Sequence, residues 1–292
     1  MRAGGAAVAA LCFGLVLLCG AAGCTSRLDA ARGVAAEIAS RGGLEERVFD
    51  GGGFRLQGWR RRGQARDSIL AVYLEGDGRA WIDRGRLATD PTPTDPVGLR
   101  LAAADPAPAL LYLARPCQYL GAAAPPCAPR YWSEARFAPE IVAATAAAID
   151  RAKAEAGAAE LELIGYSGGG VLATLIAAER HDVARLVTVA APLDLGAWTR
   201  LEAVSPLSQS LDPVRFAAAL ARIPQTHFAG AKDGIVPPAL ADSYRRRLGD
   251  RAPARIIVVP GFTHDCCWAR DWPRLIAAAR ESGRDRGSAA SR

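Results

Sequence analysis

The stretch Leu161-Glu162-Leu163-Ile164-Gly165-Tyr166-Ser167-Gly168-Gly169-Gly170 places a serine in the pattern G-x-S-x-G where a strand must give way to a helix. Leu161 to Ile164 reads as a short buried strand, and the helical pattern Gly169 to Glu179 follows directly. A serine on so sharp a turn takes a strained backbone conformation, so its neighbours must lack bulk. Gly165, Gly168, Gly169 and Gly170 meet that need. A helix starting beneath the hydroxyl favours negative charge developing there. A P-loop is excluded because Gly-Lys-Ser/Thr is missing. The looser dinucleotide pattern Gly168, Gly170, Ala173 starts too far past the strand. Ser167 is the candidate nucleophile.

Outward from this turn, short apolar runs alternate with helical patterns. Ile69 to Leu74, Leu110 to Ala114, Leu186 to Ala190, Thr226 to Phe228 and Ile256 to Val259 read as further buried strands. Pro139 to Ala156, Pro213 to Ala221, Pro237 to Leu248 and Trp272 to Glu281 read as helices. Glu46 to Asp50 and Phe54 to Arg60 alternate around Gly51-Gly52-Gly53, which signals a hairpin. The expected fold is α/β: a doubly wound, mostly parallel sheet with helices on both faces and an N-terminal antiparallel hairpin. The expected divisions are a signal segment 1–23, a linker and short helix 24–44, a domain 45–282 with a small cap near 194–212, and a disordered tail 283–292.

An alcohol needs a general base to attack at neutral pH, and the chain has three histidines. His181 falls at the wrong end of the sheet, and His227 lies inside a strand. His264 follows the last strand in Gly261-Phe262-Thr263-His264, on the same side as the serine turn. It is the candidate base. Asp233, after the strand Thr226 to Phe228, is the candidate acid that orients the imidazole, with Asp194 as runner-up. Asp265 adjoins the base in sequence and is expected to point elsewhere. The tetrahedral intermediate needs two N–H donors. The Gly168 amide is one, and the Asp77 amide in Glu75-Gly76-Asp77-Gly78-Arg79 is the other. Carboxylates at Glu75 and Asp77 suit an oxyanion site only if they point away or pair with Arg79 or Arg115.

Together these segments resemble the α/β-hydrolase superfamily over residues 45–280. The order Ser167, Asp233, His264 is the order of that family. The chain also resembles a group of small bacterial α/β-hydrolase lipoproteins, mostly of unknown substrate. In these the Glu-Gly-Asp-Gly loop, Asp90 to Pro93 (Asp-Pro-Thr-Pro) and Ala114 to Tyr119 (Ala-Arg-Pro-Cys-Gln-Tyr) recur. The resemblance implies a fold and a triad but no substrate.

The N-terminus reads as an export signal: Arg2, the apolar run Ala6 to Leu18, then Gly20-Ala21-Ala22-Gly23 and Cys24. Cys24 is the candidate lipidation site, which would tether the domain to the membrane surface at the bacterial cell envelope, with the periplasmic face expected. In an oxidising compartment Cys117 and Cys127, bracketing a Gly/Ala/Pro-rich loop, are expected to pair. Adjacent Cys266 and Cys267 could bridge or stay reduced.

Net charge is +6, spread along the chain, and no basic stripe is interleaved with aromatics, so nucleic acid is not an expected partner. Arg60-Arg61-Arg62 reads as a solvated strand end. No metal ion or organic cofactor is required, and a monomer is expected. The small cap, with Trp81, Trp132, Trp198 and Trp268, is expected to shape a moderately apolar pocket for a small ester or acyl substrate. A serine hydrolase of the carboxylesterase kind is the leading expectation. An envelope peptidase or acyltransferase, and a catalytically silent ligand-binding lipoprotein, are the alternatives.

Overall fold

The computed structural model describes residues 26–63, 69–122 and 125–287. The segment read as an export signal, and Cys24, lie outside the described residues. Ten strands and eight α-helices are present among the described residues. The main sheet has the order β1-β2-β6-β3-β7-β8-β9-β10. It is built from β1 (Glu45–Asp50), β2 (Arg55–Arg61), β3 (Ile69–Leu74), β6 (Leu110–Leu113), β7 (Glu160–Tyr166), β8 (Val183–Val189), β9 (Gln225–Gly230) and β10 (Ala254–Val259). The first two form the expected antiparallel hairpin, with Glu46 opposite Trp59. The other six run parallel.

The chain leaves β3 for β6 on one side, then crosses back to β7 on the other. This reversal is a topological switch point, where the carboxyl ends of adjacent strands open a crevice. Ser167 stands at the end of β7, and the Glu75-Gly76-Asp77-Gly78 loop stands at the end of β3.

Alternate residues of the central strands feed two cores. Val72, Leu74 and Leu163 face a layer made by α3 (Pro139–Ala156), α4 (Gly168–Ala178) and α7 (Pro238–Leu248). Tyr73, Tyr112 and Ile164 face the opposite layer of α1 (Arg27–Arg41), α2 (Val97–Ala104) and α8 (Trp268–Gly287). Burial of strands on both sides explains why they read as continuous apolar runs. Within the second layer Arg280 of α8 reaches the sheet, 2.6 Å from both Asp105 and Glu162.

Several elements differ from the sequence expectation. The helix α2 was hidden behind the Pro-rich stretch before it; Pro96 at its start offers no side-chain cap. Its amides at Gly98 and Leu99 donate instead to Glu75, a residue far away in sequence. Trp81–Asp83 and Arg86–Leu87 form a small second sheet, β4 and β5. Residues 213–220 split into a 3-10 turn, Pro213–Phe216, and the short α6, Ala217–Leu220. The last helix runs to Gly287, into the segment read as a disordered tail. In the segment read as a cap, α5 (Leu195–Leu201) is capped by Asp194, which accepts from the Ala197 amide at 2.8 Å.

The arginine run at the end of β2 is fully engaged. Arg60 pairs with Glu155, and Arg62 with Glu45. Arg61 donates to the carbonyls of Asp105, Ala107 and Gly42. No helix among the described residues is long and apolar enough to cross a membrane.

Candidate active site

Ser167 is forced into its position by three backbone constraints. Its φ of 50° lies in the left-handed region, which a non-glycine residue enters only under strain. Its amide donates to the Val189 carbonyl at 2.8 Å, tying the turn to β8. A side chain at Gly165 would collide with the backbone of Gly169 and Gly170, so only glycine lets the helix fold back so closely.

The sheet brings Ser167, Asp233 and His264 together. His264 Nε2 lies 3.1 Å from Ser167 Oγ, and His264 Nδ1 lies 2.9 Å from Asp233 Oδ2. The Asp233 side chain has no exposed surface and His264 has 12%. The other Asp233 oxygen accepts from the amides of Ile235 and Val236 at 2.9 and 2.8 Å. An ionised carboxylate can only accept, so Nδ1 donates to it and Nε2 is left to accept the serine proton. Such an arrangement can draw a proton from the hydroxyl while holding the imidazolium. The histidine loop is pinned by Trp268, whose indole N–H donates to the His264 carbonyl at 2.8 Å. Asp265 does point away: it accepts from the Tyr166 hydroxyl at 2.7 Å.

The other candidates fall elsewhere. Asp194 is held by Ser243 and the α5 amides. His227 is buried in β9, 2.8 Å from the Thr188 hydroxyl, and burial pushes its pKa down to about 3. His181 is exposed, ahead of the start of β8.

The proposed oxyanion donors flank the serine. The Gly76 amide is taken by Glu75, and no partner within the described residues takes the amides of Asp77 and Gly168. The latter opens α4, where the first N–H groups have no intrahelical acceptor. The carboxylates that looked misplaced are both spoken for. Glu75 is 2% exposed and accepts four bonds, from Gly76, Gly98, Leu99 and the Tyr112 hydroxyl. Burial raises its pKa despite those donors. Asp77 would likewise be pushed up by burial, but the guanidinium groups of Arg136 and Arg115 outweigh this and hold it below the usual carboxylate range. They lie 2.6 and 2.8 Å away.

The depressed pKa fixes a sign. Asp77 contributes stability above the ordinary carboxylate range, and that contribution is lost as pH falls through its folded-state value. Asp77→Asn leaves two buried guanidinium groups without their anion. The expected loss is about 2 kcal/mol at neutral pH, reduced from the fully buried case because the aspartate is a quarter exposed. Melting points of wild type and variant should converge in strong acid. A gap unchanged by pH would remove the charge argument.

No protein-family model matches this chain. No curated relative matches it either. Solved structures do. An esterase from Pyrococcus furiosus is 12% identical with a TM-score of 0.55, covering 82% of this chain and 90% of its own. A serine hydrolase without lid from Xanthomonas campestris is 15% identical with a TM-score of 0.51, covering 83% and 94%. The acylaminoacyl peptidase of Pyrococcus horikoshii is 14% identical with a TM-score of 0.57, over 79% of this chain and 39% of that one.

The chain has the α/β-hydrolase fold.

Within the α/β-hydrolase fold the three segments that carry the sequence resemblance interlock beside the serine. Gln118 is 1% exposed. Its side-chain N–H groups reach the Gly76 and Pro91 carbonyls, and its oxygen accepts from the Arg115 amide. The Tyr119 amide donates to Thr92 Oγ1 at 2.7 Å. The loop after β3, the Asp-Pro-Thr-Pro stretch and the Ala-Arg-Pro-Cys-Gln-Tyr stretch are thus one unit. The Sγ atoms of Cys117 and Cys127 lie at bonding distance next to it, as do those of Cys266 and Cys267 beyond the histidine.

A cleft of about 460 Å³ opens above Ser167 and His264. Its walls come from 75–79, Trp81, 93–95, Val97, Tyr166, Ile235 and Asp265. None of the described residues lining it belongs to 194–212, so the expected cap does not shape it. Of the four tryptophans only Trp81 lines it. Trp132 and Trp268 are buried, and Trp198 donates to the Ile235 carbonyl from behind. The cleft is also more polar than expected, with Glu75, Asp77, Arg79, Asp95 and Asp265 in its walls. Arg136 went unnoticed in the sequence, since nothing near it marks a site. Among the described residues no group of three or more His, Cys, Asp and Glu is placed to hold a metal ion.

Proposed function

We propose that this chain is a serine hydrolase that cleaves a carboxylic ester through an acyl-enzyme. The observation that carries this reading is the single imidazole bridging Ser167 Oγ and the buried Asp233 carboxylate. Ser167 Oγ attacks the substrate carbonyl as His264 Nε2 takes the hydroxyl proton. The carbonyl π pair moves onto oxygen, beside the amides of Gly168 and Asp77. Collapse of this intermediate breaks the bond to the leaving alcohol, which receives the proton from His264. Water then repeats the sequence on the acyl-serine and frees the acid.

The esterase and serine hydrolase among the structural neighbours support this class. The open cleft above the serine suits a small-molecule ester. A fluorophosphonate probe is expected to label the wild-type protein covalently. Labelling should vanish in Ser167→Ala while the melting curve stays in place, because the only hydrogen bond of the Ser167 hydroxyl among the described residues is with His264. A folded wild-type protein that takes no label would end the proposal.

A further inference from the structure

Besides His264, five acidic or basic side chains line the cleft, and four of them already have partners. Glu75 accepts its four bonds, and Asp77 sits between Arg115 and Arg136. Asp95 is paired with Arg100 at 2.5 Å, and Asp265 accepts from Tyr166. Arg79 is the fifth. Its guanidinium alone has no hydrogen-bond or ion-pair partner among the described residues, although it lines the same cleft as Ser167 and His264.

Its mounting is rigid. Gly78, with φ of 64°, presses so close to the Pro91 carbonyl and Gln118 that no side chain fits there. The Arg79 amide then donates to Pro91 at 2.9 Å, and the Ala80 carbonyl accepts from Ala88 at 2.9 Å. The backbone on both sides of Arg79 is therefore fixed, two residues beyond the Asp77 amide. Trp81, 42% exposed, forms the neighbouring wall. Arg79 is half-buried, and a guanidinium with five N–H donors and no acceptor among the described residues is suited to clasp an anion bidentately.

We propose that Arg79 selects substrates carrying an anionic group, of the carboxylate or phosphate kind, near the scissile carbonyl. This rests on the hydrolase reading and narrows its substrate class. Of the four cleft carboxylates, Asp77 and Asp95 are offset by their own arginines, and Glu75 and Asp265 are turned toward neutral donors of their own.

The test compares p-nitrophenyl butyrate with the mono-p-nitrophenyl ester of glutaric acid, similar in reach but ending in a carboxylate. Wild type is expected to favour the glutarate ester in kcat/KM, with the preference shrinking as salt is raised. Arg79→Gln should lower the ratio of the two kcat/KM values at least about tenfold, and Arg79→Glu should invert it. The Arg79 side chain has no partner among the described residues to lose, so both variants should melt with the wild type. Equal ratios in wild type and both variants, with both esters turned over, would overturn the role of Arg79 and leave the hydrolase standing. A wild-type protein inert toward both esters and unlabelled by fluorophosphonate would overturn the hydrolase reading, and this inference with it.

Discussion

Asp233→Asn is expected to lower kcat on p-nitrophenyl butyrate by about ten-thousandfold while leaving the protein folded. An asparagine can keep its oxygen toward the Ile235 and Val236 amides, where the aspartate now accepts two bonds. Its amide nitrogen must then face His264 Nδ1, where the aspartate now places Oδ2. That nitrogen donates, so Nδ1 must accept, and the ring proton moves to Nε2. The imidazole would then offer a proton to Ser167 rather than receive one. The loss comes from the wrong tautomer, not from a displaced ring. Asp194→Asn is the control, since Asp194 caps α5 and touches neither member of the bridge. A folded Asp233→Asn protein within tenfold of wild type would mean that the base is oriented by something else.

Gly169→Ala is expected to cost about 3 kcal/mol, near the top of the range for overpacking. In a domain of this size that is a fall of about 10 °C in melting temperature. The reason is the close approach of α4 to the end of β3. A methyl group at Gly169 would sit 2.5 Å from the Glu75 carbonyl oxygen and closer still to that of Leu74, far inside van der Waals contact. These are backbone atoms fixed by the sheet, so they cannot swing aside as a side chain would. Gly33→Ala is the contrasting substitution. It lies on the exposed side of α1 with open space around it, and alanine should stabilise that helix by up to about 1 kcal/mol. Matching melting points for Gly169→Ala and wild type would overturn this close approach of α4 to β3.

Much of this architecture was legible because burial on both faces leaves an unbroken apolar record in each central strand. The strand before Ser167 and the one before Asp233 were read within a few residues of their observed limits. Histidine is scarce in this chain, so elimination left one candidate on the correct edge, and the structure places it beside the serine. The walls of the cleft were not legible. They depend on polar contacts between segments distant in sequence. Glu75 serves the amides of α2, and Arg136 reaches back to Asp77. No periodicity announces such pairings. The segment 194–212 was expected as a small cap over the site. It turns instead to pack with α7, leaving the entrance to the loop after β3.

The side chain of Gln118 has a consequence for how the cleft meets its ligand. One amide group fastens three strips of chain whose ends would otherwise move independently. Little loop entropy remains to be surrendered by this wall when a molecule enters, so it is preorganised for binding. For a wall held in this way, the main cost of binding is the water shed from its charged groups.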